Sequence, residues 1–251
     1  MRSGNPVLGD NTFLDVGSGR VVTGNVQAMS INGTVNKTGL LLVLLAGAAA
    51  FSWDKASGAA GPGAALPWLM TGAIGGLVVA LITVFKKAWS PVTAPAYALL
   101  EGLFIGAFSA MMEARFPGIV LQAVGLTFGT LASLLVAYRT GLIRATEKFK
   151  LGVVAATGGI ALLYLVDIGM GLFGHPMGFI HNNTWISIAF SGVVVVIAAL
   201  NLVLDFDFIE KGVEAGAPKY MEWYGAFGLI VTLVWLYLDI LRLLSKLQSR
   251  N

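Results

Sequence analysis

The chain has 251 residues, of which 57% are hydrophobic and 12% charged, against about 25% charged in a typical soluble domain. At a mean hydropathy of +0.81, there are too few charges to give a soluble fold its polar surface, which points to a membrane protein. The net charge of +3 is scattered between apolar runs, which suits loops beside anionic lipid better than nucleic acid, and the lack of cysteine excludes disulfides, thiolate metal sites and cysteine nucleophiles.

In chain order, residues 1–35 come first. They are rich in Gly, Asn and Ser and lack an apolar stretch long enough for a secretory signal. They read as a polar tail, with RVVTG and AMSING as short extended pieces that can pair locally. Residues 36–251 read as the transmembrane domain. Its apolar runs fall at 38–53, 66–85, 93–112, 119–138, 151–173, 184–209 and 222–245, most of them near the ~20 residues that cross a bilayer core. The first is short and ends at Trp53, an interface residue. The expected fold class is therefore all-α: a polytopic bundle of seven transmembrane helices with short connections between antiparallel neighbours. GAIGG at 72–76 and the Gly102–Gly106 spacing favour close helix packing.

Orientation follows from Lys and Arg. With the N-terminus inside, the inner segments hold Arg2, Arg20, Lys37, Lys86, Lys87, Arg139, Arg144, Lys148, Lys150, Lys211 and Lys219. The outer ones hold Lys55, Arg115, Arg242, Lys246 and Arg250. This predicts a cytoplasmic N-terminus and an exterior C-terminus, and the basic tail Arg242, Lys246, Arg250 fits that orientation least well. His175 and His181 fall in an exterior loop and read as ordinary polar residues.

Five acids lie within or near these runs: Glu101, Asp167, Asp205, Asp207 and Asp239. An acid at bilayer depth needs a partner, a proton, or a protein or water surround, which makes each a functional candidate. Glu101 sits eight residues into its run, too far in for helix capping. Asp167 lies near a helix end and suits interface hydrogen bonding. Asp205 and Asp207 are ~200° apart on a helix and face different surroundings. Asp205 is the deeper, and Asp207, followed by Glu210 and Lys211, suits the headgroup region. Asp239 lies among Leu236, Tyr237, Leu238, Ile240 and Leu241, with Arg242 three positions later on its face. Two readings stand for it: a local pair with Arg242, or a pair with Asp205 sharing one proton across helices, which would sense pH and attract a hard cation such as calcium.

NKTGLLLVLL at 36–45, SPVTAPAYALLEGLFIGAFSA at 90–110, LDFDFIEKG at 204–212 and WLYLDILRLLSKL at 235–247 together carry a family likeness. The chain resembles a bacterial member of the Bax inhibitor family, in its YccA-like branch. The resemblance implies a seven-helix protein of the bacterial inner membrane, with the seventh helix near the bundle centre. It further implies a pH-sensitive calcium leak governed by a di-aspartyl pair, here Asp205 and Asp239, with Glu101 at a recurring acidic position of the third helix. One departure stands out. Relatives carry an arginine on the second helix that engages the acidic pair, whereas WLMTGAIGGLVVALITVFKKAW has only Lys86 and Lys87 at its inner end. Depth is a second difficulty. Asp205 falls ~9 Å from the inner edge and Asp239 ~12 Å from the outer one, so in a ~30 Å core they differ by roughly 9 Å.

The leading expectation is a cation pathway, with calcium as the ion, no cofactor, and a monomer or weak oligomer among membrane lipids. A second is a regulatory protein that modulates a membrane-bound quality-control protease, as the resemblance implies, with the tail as the handle. An enzyme is not expected. Leu-Val-Leu precedes Asp205 and Leu-Tyr-Leu precedes Asp239, without the glycine of intramembrane aspartyl proteases, and no serine-hydrolase, zinc or phosphate-loop motif occurs. A retinal protein would need a buried lysine in the last helix, where Lys246 stands only near the end.

Overall fold

In the computed structural model, residues 28–58, 62–174, 177 and 184–250 are described. They form seven long helices: α1 Ile31–Ser57, α2 Leu66–Phe85, α3 Ser90–Arg115, α4 Ile119–Arg139, α5 Glu147–Leu172, α6 Trp185–Glu214 and α7 Met221–Gln248. All seven are long and apolar enough to cross a membrane. The seven expected spans are all present, each extended or shifted by a few residues. His175 and His181 lie outside the described residues, as does RVVTG.

The helix ends are set locally. Ser30, Thr146 and Thr184 cap α1, α5 and α6 with their hydroxyls, and prolines open the first turn of α2 and α3. Glu113 reaches past the end of α3 to accept from the backbone N–H of Gly118 (2.6 Å) and Val120 (3.1 Å), so a carboxylate caps α4. Residues 31–35, expected in the tail, are instead the first turn of α1. Just before them, Ala28 makes a β-bridge to Pro218, and Met29 N donates to Ala217 O at 2.7 Å. The segment AMSING is thus tied to the α6–α7 turn.

Helix α7 is the centre. In its most apolar stretch 61% of residues are buried, against 11% in α1 and 17% in α2, α4 and α5. It packs on α1, α3, α4 and α6, while α5 leans on α6. Outward positions such as Val43, Leu121 and Leu151 are exposed and apolar, as a lipid-facing surface requires. Glycines set the closest approaches. Gly72 and Gly76 lie against Phe104 and Glu101 of α3, and Gly102 and Gly106 lie against the α1 backbone at Leu45 and Ala49. The two small-residue spacings seen in the sequence are therefore packing seams.

The loops between α2 and α3, α4 and α5, and α6 and α7 share one face with the start of α1. That face carries Lys37, Lys86, Lys87, Arg139, Arg144, Lys148, Lys150, Lys211 and Lys219, and it is called the basic face below. Of the five Lys and Arg residues toward the other face, Arg242 and Lys246 are bound to side chains within the bundle. The C-terminal positive charge therefore opposes the positive-inside pattern less than its sequence suggests.

A Cβ at Gly106 would collide with the Ala49 carbonyl oxygen and the Ser52 hydroxyl. Gly106→Leu should cost about 1–3 kcal/mol or block folding. Gly152→Ala, where nothing lies within 4 Å, should be neutral or gain up to about 1 kcal/mol. Thermal unfolding in detergent checks both.

Candidate functional site

The sequence-predicted acids sit at separate places. Asp205, on α6, has Gly228 and Thr232 of α7 as neighbours. A Cβ at Gly228 would be 3.8 Å from Asp205 Oδ1, and Thr232 is its polar contact. Its Oδ2 is buried, with no hydrogen-bond partner among the described residues. A Cβ at Gly228 would meet the carboxylate at ordinary van der Waals distance, so Asp205 lies close along α7 at this level. Asp205 also lines a cavity of about 580 Å³ between α5, α6 and α7, walled by Lys150, Asn201, Asp207, Lys211, Tyr224 and Phe227 among others.

The cavity mouth is charged. Asp207 Oδ2 pairs with Lys150 at 2.7 Å and Lys211 at 3.1 Å, and Lys150 also meets Glu147 at 3.2 Å. Asp207 is thus held between a lysine of α5 and one of its own helix. Helix α6 does not end at the two acids but continues to Glu214. Asp205 and Asp207 therefore look in different directions from one unbroken helix, one onto α7 and one onto the lysines.

Asp239 is 4% exposed and lies on α7 itself. Arg242 Nη1 reaches its Oδ1 at 3.2 Å and also donates to Tyr164 Oη of α5 at 2.6 Å. The guanidinium stacks over the Tyr164 ring at 5.2 Å. The local Asp239–Arg242 pair is thus formed, and α5 holds its far side. Asp239 Oδ2, like Asp205 Oδ2, has no hydrogen-bond partner among the described residues. Asp205 does not meet Asp239. It packs at the level of Gly228 and Thr232, and Asp239 is seven residues beyond Thr232, an axial step of ~10 Å. The depth difference read from the sequence is present, and the arginine beside this acid comes from α7 rather than α2.

Glu101 is elsewhere again. It points at α2, where a Cβ on Gly76 would lie 2.8 Å from its Oε2, and it interacts with Tyr97 one turn earlier. The Tyr97 ring packs edge-on against Phe227, centroids 5.0 Å apart, and Phe227 lines the Asp205 cavity. Tyr97 therefore stands between Glu101 and that cavity. Asp167 accepts from the backbone N–H of Met177 at 2.8 Å, a hydrogen bond at the helix end as expected. Among the described residues no three carboxylates or histidines converge into a metal cage.

Two buried charges escaped the sequence reading. Glu222, at the start of α7, is fully buried. It accepts from Ser30 N and Ser30 Oγ, both at 2.9 Å, from Lys219 at 3.0 Å and from Lys37. Lys37 also lies over the Trp223 ring. Lys246, near the far end of α7, is 5% exposed and donates to Ser187 Oγ and Ser191 Oγ of α6, each at 2.8 Å. A glutamate in the first turn of a span reads as a headgroup residue, and a lysine near the end of one reads as a tail charge. The available signal was spacing: Lys219 stands three before Glu222, and Asp239, Arg242 and Lys246 share one face of the helix.

Compared with protein families, residues 5–249 match the sequence model of the family described as Bax inhibitor 1 like. The comparisons with curated proteins and with solved structures gave no match.

Removing the Glu222 charge leaves Lys37 and Lys219 facing each other with no anion between them. Glu222→Gln should destabilise the fold by about 3 kcal/mol, the low end for a broken buried ion pair because both lysines reach solvent. Ser30→Ala should cost about 1 kcal/mol as a lost helix cap. Thermal unfolding of the purified protein in detergent measures both.

Proposed function

The chain belongs to the Bax inhibitor 1 like family, and from that premise we propose that it is a gated cation pathway, with calcium as the ion. The observation that carries this reading is Asp205: a carboxylate with one buried oxygen that has no hydrogen-bond partner among the described residues, on the wall of a cavity whose mouth lies at the basic face. A carboxylate in such surroundings takes up a proton or a cation, because an isolated charge there is costly. Protonation and cation occupancy compete for the same oxygens, which makes the pathway pH-sensitive. Asp239, two turns along α7, is the second acid of the gate. Glu101, behind Tyr97, is the third acid along the path.

In this reading the di-aspartyl gate works without a direct Asp205–Asp239 hydrogen bond in the described arrangement, since α7 links the two acids. The protein works in a bacterial inner membrane, with its N-terminus and basic face cytoplasmic. It needs no cofactor and performs no covalent chemistry. A second role, modulation of a membrane-bound protease, draws support from one observation. The segment Ala28–Ser30, which follows the N-terminal tail, is hydrogen-bonded to the α6–α7 turn and to Glu222. A partner pulling on the tail would act directly on the central helix.

Calcium entry into proteoliposomes carrying an internal indicator, followed across pH, tests the pathway. Asp205→Asn is neutral at every pH and should abolish the acid-dependent part of the flux. Asp239→Asn should shift it. Unchanged flux and pH response in both variants would sink the gate. For the second role, deleting residues 1–27 should remove protease binding and leave calcium flux intact; retained binding would count against the tail.

A further inference from the structure

A second cavity, of about 630 Å³, lies between α1, α3, α4 and α7, and none of Glu101, Asp167, Asp205, Asp207 and Asp239 lines it. Its walls include Ala46 and Trp53 of α1, Gly106 and Ser109 of α3, Phe128 of α4 and Val234 of α7. We propose that this crevice is a binding site for one acyl chain of a membrane phospholipid, taken from the leaflet on the side of Trp53.

Four observations lead there. The first is polarity. Every hydroxyl in the wall is already used: Ser109 and Tyr237 bond to each other at 2.6 Å, and Thr127 donates to the Ala123 carbonyl at 2.8 Å. Nothing in the wall calls for water, an ion or a polar ligand, so the occupant is apolar. The second is access. Val43 of α1 and Phe128 of α4 line the crevice and are 69% and 47% exposed on the lipid side. Between them the space reaches inward to Val234 and Tyr237, each 7% exposed. The opening is therefore lateral, into the bilayer, where acyl chains are the abundant apolar molecules.

The third is length. The α1 wall from Leu42 to Trp53 spans eleven residue steps, ~16 Å along the helix. One leaflet of a ~30 Å hydrocarbon core is ~15 Å deep. The crevice thus runs from mid-membrane to the interface, where Trp53 marks its end. The fourth is charge. Lys55 follows Trp53 on α1, and Arg115 ends α3, so the two helices bordering this end each finish in an exposed cation. A phosphate headgroup at that level would meet Arg115 and would share Lys55 with Asp54, to which the lysine is ion-paired at 3.3 Å. Small side chains make the space. Ala46, Ala49, Ala50 and Gly106 leave the width that larger residues would fill.

The test needs no knowledge of the ion pathway. The protein is placed in nanodiscs of phosphatidylethanolamine and phosphatidylglycerol doped with a phospholipid bearing a photoreactive diazirine midway along one chain. After irradiation, labelled residues are mapped by peptide mass spectrometry. Label on α7 at Leu233, Val234 or Tyr237 is expected, although that helix is otherwise screened from lipid. Ala46→Phe fills the crevice from α1 and should abolish the α7 label while label at the outward-facing Leu121 persists. Label confined to outward positions in the unmodified protein would overturn the proposal, and that readout requires no variant to fold. The chain has no cysteine, so Val43→Cys reports the competing occupant. A disulfide-linked dimer without α7 label in the unmodified protein would mean that a second copy covers the crevice, and would overturn it too.

Discussion

A bilayer core offers no water to a polar group, so each one on a buried helix must be answered by another part of the chain. Helix α7 carries most of that demand, and the answers come from different helices. Glu222 is met by Ser30 and Lys37 of the α1 end, Tyr237 by Ser109 of α3, and Lys246 by Ser187 and Ser191 of α6. Arg242 is met by Tyr164 of α5. Apolar packing brings helices together with little directional preference. These polar pins fix which helix faces α7 and at what height. Helix α7 is both the most buried span and the one that holds most of the buried charged residues among the described residues.

The pins are unevenly spaced. Glu222 holds the basic-face end of α7, and Arg242 and Lys246 hold the other. Between them the contact with α6 runs past Gly228 and Thr232, where Asp205 lies against the helix with one oxygen unanswered among the described residues. The least satisfied stretch of the α6–α7 seam is therefore the one facing the cavity. Asp239 differs in kind. Its charge is balanced on its own helix by Arg242, and the arginine is in turn stapled to α5.

What could be read in advance follows from the range of each interaction. Spans were legible because ~20 apolar residues is a demand of the bilayer itself. The Asp239–Arg242 pair was legible because i,i+3 geometry is local, and the depth gap between Asp205 and Asp239 because rise per residue is fixed. The start of α1 was not. Residues 31–37, INGTVNK, are too polar to resemble a span, and they are helical because Ser30 caps them and Glu222 neutralises Lys37. That glutamate is 185 residues away from Lys37, and no local pattern announces such a partner. The same holds for Lys246, whose serines lie on another helix. Long-range neutralisation of a polar residue is what single-sequence reading cannot supply.

The ~10 Å step between the two aspartates constrains how the proposed gate can work. With the acids two turns apart, a proton gained at Asp205 has no direct electrostatic hold on Asp239 comparable to that of Arg242 at 3.2 Å. Coupling between them must then be mechanical and run through α7. A stiff helix transmits a shift only if its anchors yield. Those anchors are charge-assisted hydrogen bonds, which form or break in discrete geometries rather than stretch. A central helix held at both ends by such bonds, with its weakest contact in the middle, has the elements of a two-state device. In the proposed gate, the bias would be set where Asp205 meets Gly228 and Thr232, and the threshold by the Glu222 and Lys246 pins.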